Sequence, residues 1–378
     1  MKPTTNLIIR LLSMLVCLFV VVGSVTFLLK SEDEIPSPEQ NEENEQQNGS
    51  PNTPVGSFDI DVVDVEKADY TYDEMVEDLS ILSARYGDKM SYKAIGTSLD
   101  GRAIYAVTLG DPEAKNQIII SAGIHAREYM TPMLVMAQLE HYLYYYNAER
   151  EDGTTYAEAL LDYAICILPM CNPDGITLAQ KGLEGIRSEE LRATILSIYE
   201  LDREKFSFTG TLDEYLSEWK ANARGVDLNR NFDTDDFATY PVMSRPCYLN
   251  YPGERPLSEP ETAAMVSYVK SLENPVFSVA MHSQGEVIYY NCGQSNIDEA
   301  RSLAESLASW TGYKLETEVR HDSAFDDWCN KVMGIPSATV ETGKVPCPLP
   351  ISEFDKIWQD NRDLWERLVE LHRNESQK

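Results

Sequence analysis

The sequence predicts an α/β domain in which a mixed, mostly parallel sheet lies between layers of helices. Short apolar runs rich in β-branched residues alternate along the chain with segments whose apolar residues recur at helical spacing. The runs Ile118–Ile120 and Tyr163–Pro169 are continuously apolar, which is typical of strands buried on both faces of a parallel sheet. The chain has 378 residues, 43% of them hydrophobic, so it is long enough to enclose a large core.

An apolar stretch near the N-terminus predicts membrane insertion or export. Leu11–Leu29 contains no charged residue and is long enough to span a bilayer. Lys2 and Arg10 precede it, so the positive-inside rule places the rest of the chain outside the cell. Residues 1–30 are therefore expected to form a single-pass anchor in the cell membrane. A cleaved signal peptide, which would give a secreted protein, remains the alternative.

The segment that follows differs in composition from its neighbours. Residues 31–57 are mostly Glu, Asn, Gln, Pro and Ser and show no apolar periodicity. Such a composition cannot bury enough apolar surface to fold, so we expect a disordered acidic linker. Residues 58–378 are then expected to form one folded domain.

The charge balance limits the partners of this domain. The formal net charge is -30, from 62 acidic and 32 basic residues. A surface this acidic repels phosphate backbones and anionic lipids, so nucleic acids are excluded as partners.

The cysteines of the exported part are even in number and therefore allow up to three disulfides. Their spacings match no zinc-ribbon pattern, so no pairing is assigned, and burial as free thiols is an equal alternative for the first of them. They are Cys166, Cys171, Cys247, Cys292, Cys329 and Cys347.

The first elements of the folded part are marked by a capping signal and a turn. Thr71–Glu74 reads as a capping box that begins an amphipathic helix. Ser91–Ile95 and Ala103–Leu109 alternate in polarity on either side of a turn, which predicts an antiparallel pair. Pro132 begins a long helix that continues to Tyr145.

The later elements alternate between strands and helices. The polar segment Asn172–Gly175 predicts a turn, and residues 176–222 read as a less regular stretch with one helix that begins at Thr211–Glu214. The remaining predictions are a helix from Ser258 to Leu272, a strand Val276–Ala280, a helix Ile297–Trp310, a strand Ser337–Val340 and a closing helix from Phe354 to about His372.

Polar groups that can bind a metal stand where three of these strands end. His125, His282 and Glu341 each follow a strand directly, and Glu128 lies three residues after His125. Because the carboxyl ends of parallel strands share one edge of a sheet, we expect these groups to converge. Two histidines and one carboxylate form the ligand set of a catalytic zinc with an open position for water. Glu341 is then placed to act as a general base.

Five motifs in this order resemble the zinc carboxypeptidase family typified by carboxypeptidase A. They are His125-x-x-Glu128, Asn172–Gly175, Gly225–Arg230, His282-Ser283 and Glu341–Gly343, and the resemblance extends from about Tyr70 to the C-terminal helix. It implies a twisted mixed sheet of eight strands between helices. It also implies one Zn²⁺ ion per chain, held by His125, Glu128 and His282.

The resemblance also implies roles for individual residues. Glu341 matches the catalytic glutamate, and Arg224 matches the arginine that stabilises the oxyanion. Asn229 and Arg230 match the pair that grips a free carboxylate of the substrate. Asp227 matches the carboxylate that orients the first zinc histidine.

The substrate is expected to be a peptide whose leaving residue carries an ammonium group. Asp326 falls at the floor of the family's specificity pocket, where an acid accompanies cleavage of basic terminal residues. Ser283–Glu286 is similar to the corresponding segment of bacterial γ-D-glutamyl-diaminopimelate peptidases, which act on cell-wall stem peptides. Diaminopimelate would offer a carboxylate to Arg230 and an ammonium to Asp326.

The sequence departs from the family at the position of its mobile tyrosine, which Val319 occupies. His321 is one candidate replacement, and an ordinary surface histidine is the alternative.

Two other functions also remain open. One is an aspartoacylase-type amidohydrolase, which shares the His-x-x-Glu motif, and the other is a non-catalytic wall-binding protein with a peptidase fold.

Overall fold

The computed structural model describes residues 60–150, 152–239 and 242–377. The predicted membrane segment at 1–30 and the predicted linker at 31–57 lie outside these ranges. Within the ranges, no helix is both long and apolar enough to cross a membrane.

One sheet of eight strands forms the centre of the described domain, in the order β1-β2-β4-β3-β5-β8-β6-β7. The strands are β1 Met90–Thr97, β2 Ala103–Leu109, β3 Asn116–Ser121, β4 Tyr163–Leu168, β5 Pro275–Ser283, β6 Val287–Tyr289, β7 Lys314–Glu316 and β8 Ser337–Thr342.

The pairing of these strands is mixed, as predicted. The four central strands β4, β3, β5 and β8 run parallel to one another. β1 pairs antiparallel with β2, which confirms the predicted pair, and β2 pairs antiparallel with β4. On the other side, β6 is antiparallel to β8 and parallel to β7. The sequence did not predict β6 and β7, because strands of three residues are too short to show a period.

Helices cover both faces of the sheet. They are α1 Tyr72–Tyr86, α2 Met130–Tyr144, α3 Tyr156–Ala159, α4 Pro173–Lys181, α5 Glu189–Phe206, α6 Leu212–Ser217, α7 Pro260–Lys270, α8 Ile297–Thr311, α9 Phe325–Trp328, α10 Phe354–Asn361 and α11 Leu364–Glu375. The capping boxes predicted at Thr71 and Thr211 are both present. The predicted closing helix is divided into α10 and α11.

Three other local predictions are wrong. Residues 176–222 contain α5 and α6 in addition to most of α4, so the stretch is more regular than expected. Asn172 does not lie in an isolated turn, since its side chain accepts a hydrogen bond from the Gly175 amide and caps α4. Ser258 does not cap α7, because its hydroxyl contacts Glu259 and Asn231.

The central strands are buried on both faces. Every residue of β3 is buried; Ile118 and Ile120 pack into the cluster that contains α2, while Ile119 packs into the opposite cluster with Met265 of α7. Each such side chain stabilises the fold by about 1.5–3 kcal/mol relative to an exposed one. This packing explains the continuous apolar run from which the strand was predicted.

The six described cysteines are all buried and free. None of the disulfides that their even number allowed is therefore formed among them. Burial raises the pKa of each thiol above its ordinary value, as for Cys166, whose pKa is raised to about 11.

The chain after β3 turns sharply at Gly123, and this turn delivers the first metal-binding residue. Gly123 has φ of +63°, and a Cβ there would lie 2.7 Å from Pro132 and 2.9 Å from Ile176, so a side chain does not fit. The buried Asn172 fixes the same turn, because its Nδ2 donates to the carbonyls of Ile124 and Ala221 at 3.1 and 3.0 Å. His125 follows at once.

Candidate active site

Three predicted metal ligands meet at the carboxyl end of the parallel strands. His125 Nδ1 lies 2.8 Å from Glu128 Oε1, and His282 Nδ1 lies 3.0 Å from Glu128 Oε2. The two Nδ1 atoms are 3.1 Å apart. All three residues are buried, and they form a group that could hold one metal ion.

The spacing of these atoms fits zinc. With metal–nitrogen distances of roughly 2.0–2.1 Å, the ligand atoms of a tetrahedral zinc site lie about 3.3 Å apart. The observed separations of 2.8, 3.0 and 3.1 Å are close to that value. Two imidazole nitrogens and a carboxylate form a donor set typical of catalytic zinc.

Asp227 lies beside the ring of the first histidine. The buried His125 Nε2 has no hydrogen-bond partner within the described ranges, and Asp227 Oδ1 is 3.4 Å from it. Burial alone would raise the pKa of Asp227, but the charges of Lys220 and His125 outweigh this and hold the pKa well below its ordinary value. An ionised carboxylate at Nε2 directs the Nδ1 lone pair towards the ligand group.

Glu341 stands next to the metal ligands. Its Cα is paired with that of His282 across β5 and β8. Burial and then the charge of Glu128 raise the pKa of Glu341 above its ordinary value, while His282, Arg320 and Lys220 oppose the rise. A carboxylate with a raised pKa is suited to accept and return a proton near neutral pH.

A cavity of about 370 Å³ opens over this group. Its lining includes His125, Glu128 and Glu341 together with two cations, Arg127 and Lys220. The Lys220 carbonyl accepts the Ala126 amide at 3.1 Å, and this hydrogen bond fixes Lys220 next to the metal-binding loop. The cavity therefore combines a metal site, a carboxylate and cations.

Comparison with known proteins is decisive about the family. The sequence profile of the zinc carboxypeptidases matches residues 75–364, which is most of the chain. The chain belongs to the zinc carboxypeptidase family. It is a zinc metallopeptidase, and the predicted zinc dependence is confirmed.

Individual relatives agree with this assignment. The zinc carboxypeptidase described here is 30% identical over 295 residues to gamma-D-glutamyl-L-diamino acid endopeptidase 1 of Lysinibacillus sphaericus, covering 77% of this chain and 70% of that protein. It is 25% identical over 259 residues to human carboxypeptidase B2, covering 67% of this chain and 54% of that protein. The fold matches bovine thrombin-activatable fibrinolysis inhibitor with a TM-score of 0.63 at 21% identity, over 80% of this chain and 97% of that one.

Arg224 is not in the place that the oxyanion role requires. Its guanidinium donates to the buried carboxylate of Glu259 at 2.9 Å and to the Ser258 carbonyl at 3.3 Å, and it does not line the cavity. Lys220 lines the cavity instead, and its ammonium lies 3.1 Å from Asp227 Oδ2. The geometry thus favours Lys220 as the cation near the reacting carbonyl. The sequence placed two cations four residues apart, and only the fold distinguishes them.

Arg230 and Asn229 lie together with a carboxylate that the sequence did not suggest. Arg230 Nη1 is 2.7 Å from Asp322 Oδ1. Asn229 Oδ1 accepts the Phe325 amide at 3.0 Å, which connects the Asn229–Arg230 segment to α9. Arg230 therefore already binds a carboxylate, and that carboxylate, of Asp322, belongs to the protein itself.

Asp326 is buried as a pocket floor would be, but it is not a free negative charge. Its Oδ2 lies 3.0 Å from Arg320 Nη2. The expectation of a simple cation pocket is therefore incomplete, because the acid is paired with an arginine that no motif marked.

No described tyrosine replaces the family's mobile one at the predicted position. Val319 is 49% exposed. His321, the candidate replacement, is also exposed, and its Nδ1 lies 3.0 Å from Asp236 Oδ1. This contact is that of an ordinary surface histidine next to a carboxylate.

Proposed function

We propose that this zinc carboxypeptidase hydrolyses the amide bond next to a residue that carries a free carboxylate, with diaminopimelate or a similar residue as the leaving group. The main support for the proposed hydrolysis is that Glu341 is paired across the sheet with His282, a member of the His125–Glu128–His282 group. The substrate class is supported by the relative that is named for gamma-D-glutamyl-L-diamino acid peptides. Turnover of cell-wall stem peptides is the corresponding biological role.

The ligand residues and Glu341 divide the work of the reaction. His125, Glu128 and His282 would hold one zinc ion, which when bound polarises a carbonyl and acidifies water to a pKa of ~7. Glu341 accepts the proton of the attacking water as the new C–O bond forms. It then returns that proton to the leaving nitrogen as the C–N bond breaks, so the carboxylate is regenerated.

Lys220 supports the charge that develops on the carbonyl oxygen. Its ammonium lies at the cavity wall and is held by Asp227, so it is oriented before the substrate arrives. A fixed cation in a site that excludes water stabilises an oxyanion by several kcal/mol. Arg127, on the same wall and 3.3 Å from Glu218, is available to the peptide on the other side of the bond.

The enzyme acts outside the cell and is tethered through Leu11–Leu29. This proposal is supported by the uncharged apolar stretch and the basic residues before it. Fractionation of cells that express the full chain, followed by protease treatment of intact cells, tests it. We expect membrane-bound protein that external protease digests; release into the medium would instead indicate a cleaved signal peptide.

The function is tested with defined peptides and the purified full-length chain. Stem peptides that contain γ-D-glutamyl-diaminopimelate and ordinary peptides that end in Lys or Phe are incubated with and without a chelator. We expect release of diaminopimelate that the chelator abolishes and added Zn²⁺ restores. Absence of chelator-sensitive release from every peptide would refute the proposed function.

A further inference from the structure

Four side chains of alternating charge form a continuous network of ion pairs beside the predicted substrate-binding residues. Arg230 Nη1 is 2.7 Å from Asp322 Oδ1, and Arg320 Nη1 is 3.5 Å from Asp322 Oδ2. Arg320 Nη2 is then 3.0 Å from Asp326 Oδ2. The series contains two positive and two negative groups, so it is neutral as a whole.

Arg320 is held rigidly within this ion-pair network. Its guanidinium lies over the ring of Tyr289, 4.3 Å from the centroid, in a cation–π contact. Burial would lower the pKa of Arg320, but the charges of Asp326, Asp327 and Asp322 outweigh burial and raise the pKa above its ordinary value. Arg320 is therefore always charged and has little freedom to move.

The same arginine is close to the catalytic carboxylate. Tyr289 lies on β6, which pairs with the strand that carries Glu341. The partner of Tyr289 on that strand is Thr339, which lies two residues before Glu341 and therefore on the same face of the sheet. A leaving residue that is bound next to Glu341 therefore comes within reach of Arg320.

Asp326 and Arg320, at one end of this ion-pair network, each have a polar atom without a hydrogen-bond partner. Asp326 is 1% exposed, yet its Oδ1 has no hydrogen-bond partner in the part of the chain that the structure describes. The same is true of Arg320 Nε. A buried donor or acceptor without a partner costs about 1–3 kcal/mol, so the Arg320 Nε donor and the Asp326 Oδ1 acceptor are both expected to bind a ligand.

The neutral pair of Arg320 and Asp326 should bind a different ligand from the one that an unpaired carboxylate would bind. A lone buried carboxylate selects a cation, whereas a fixed arginine next to it adds a site for a second carboxylate. A lysine side chain would satisfy Asp326 and leave Arg320 Nε without a partner. A side chain that ends in both an ammonium and a carboxylate would satisfy both residues.

We propose that Arg320 is a specificity-determining residue that binds a carboxylate on the side chain of the leaving residue, while Asp326 binds the ammonium of the same side chain. The leaving residue is thus a diamino diacid and not a simple basic amino acid. This inference rests on the proposed function and refines its substrate class.

The test compares four peptides that differ only in the leaving residue. Diaminopimelate carries both groups, lysine only the ammonium, 2-aminopimelate only the carboxylate, and norleucine neither. For the full-length wild-type enzyme we expect kcat/KM to be highest for the diaminopimelate peptide, by about 10-fold to 100-fold over the lysine peptide, which corresponds to one or two charge-assisted hydrogen bonds.

Variants of the two residues separate recognition from structure. Arg320→Gln should lower kcat/KM for the diaminopimelate and 2-aminopimelate peptides by about 10-fold or more and leave the lysine peptide nearly unchanged. Asp326→Asn should affect the diaminopimelate and lysine peptides and spare the 2-aminopimelate peptide. Arg367→Gln, an exposed change on α11, is the matched control and should alter none of them. Zinc content and Tm of each variant verify folding.

The outcomes distinguish this inference from the proposed function. Failure of the wild type to hydrolyse any of the four peptides would refute both. Hydrolysis with an equal or higher kcat/KM for lysine would leave the peptidase function intact and overturn the role of Arg320. An equal loss on all four peptides in folded Arg320→Gln would likewise overturn it, because it would indicate a purely structural ion pair.

Discussion

The carboxylate of Asp322 lies 2.7 Å from the guanidinium of Arg230, the residue expected to grip the carboxylate of the substrate. The chain thus supplies a carboxylate to the guanidinium that is expected to bind the substrate. A substrate whose free carboxylate binds Arg230 would have to compete with Asp322 or share the guanidinium with it.

Removal of this competitor should strengthen substrate binding. In Asp322→Asn the charge is lost but the shape is retained, and we expect KM for substrates with a free carboxylate to fall by about 5-fold to 10-fold, as one charge-assisted hydrogen bond suggests. Steady-state kinetics on such peptides measures this change in KM. Asp235→Asn, an exposed acid paired with Lys331, is the control. A rise in KM would show that Asp322 contributes to binding instead of opposing it.

Two cations four residues apart should have different functions. Lys220→Met is expected to lower kcat by about 100-fold, because it removes a fixed charge near the reacting carbonyl. Arg224→Met should change kcat little and instead destabilise the fold by about 1–3 kcal/mol, because it leaves the buried Glu259 carboxylate without its ion pair. Kinetics and urea unfolding of both variants measure these effects. The reverse pattern would restore the oxyanion role to Arg224.

The contact of Asp227 with the first histidine should affect metal affinity. Asp227→Asn replaces the ionised acceptor next to His125 Nε2 with a neutral amide, and we expect zinc affinity to fall by about 10-fold to 100-fold. Competition with a zinc-binding dye gives the affinity, and Asp213→Asn on the surface helix α6 is the control. An unchanged affinity would remove Asp227 from the metal site.

A buried acid that is not one of the metal ligands should make stability depend on pH. Burial raises the pKa of Glu261 to about 8, so the folded state retains a proton that the unfolded state releases above roughly pH 4.3. Stability from this group is fully present below the unfolded pKa and is lost as pH rises towards 8. The glutamine side chain in the Glu261→Gln variant cannot ionise. Between pH 5 and 9 the free energy of unfolding of this variant should therefore fall by a few kcal/mol less than that of the wild type. Parallel urea-unfolding profiles would contradict the raised pKa.

The metal site was predictable from sequence because it depends only on a short spacing and on where strands end. His125 and Glu128 are three residues apart, and His282 and Glu341 end neighbouring parallel strands, so strand endings alone bring them together. The apolar run of β3 was predictable because burial on both faces leaves a continuous apolar pattern, and the capping box at Thr71 because its contacts lie within four residues.

The ion pairs of Arg230, Asp322, Arg320 and Asp326 were less predictable because they depend on long side chains from distant loops. Arg230 and Asp322 are separated by many residues, and the sequence does not show which carboxylate a given arginine reaches. Arg320 was missed because it lies in an irregular segment between β7 and α9. Helix α5 was missed although Ile195, Ile198, Tyr199 and Asp202 are buried at helical spacing, because the buried Asp202 interrupts the apolar pattern.

The claim that zinc and Glu341 act together is tested most directly by measuring zinc content and peptide hydrolysis on the same samples. Wild type should hold one zinc ion per chain and hydrolyse the γ-D-glutamyl-diaminopimelate peptide. Glu341→Gln should hold the same zinc but hydrolyse the peptide more slowly by about 1000-fold or more, because the proton acceptor is lost. His282→Ala should lose both. Glu341→Gln that hydrolyses the peptide at close to the wild-type rate with zinc bound would contradict the account.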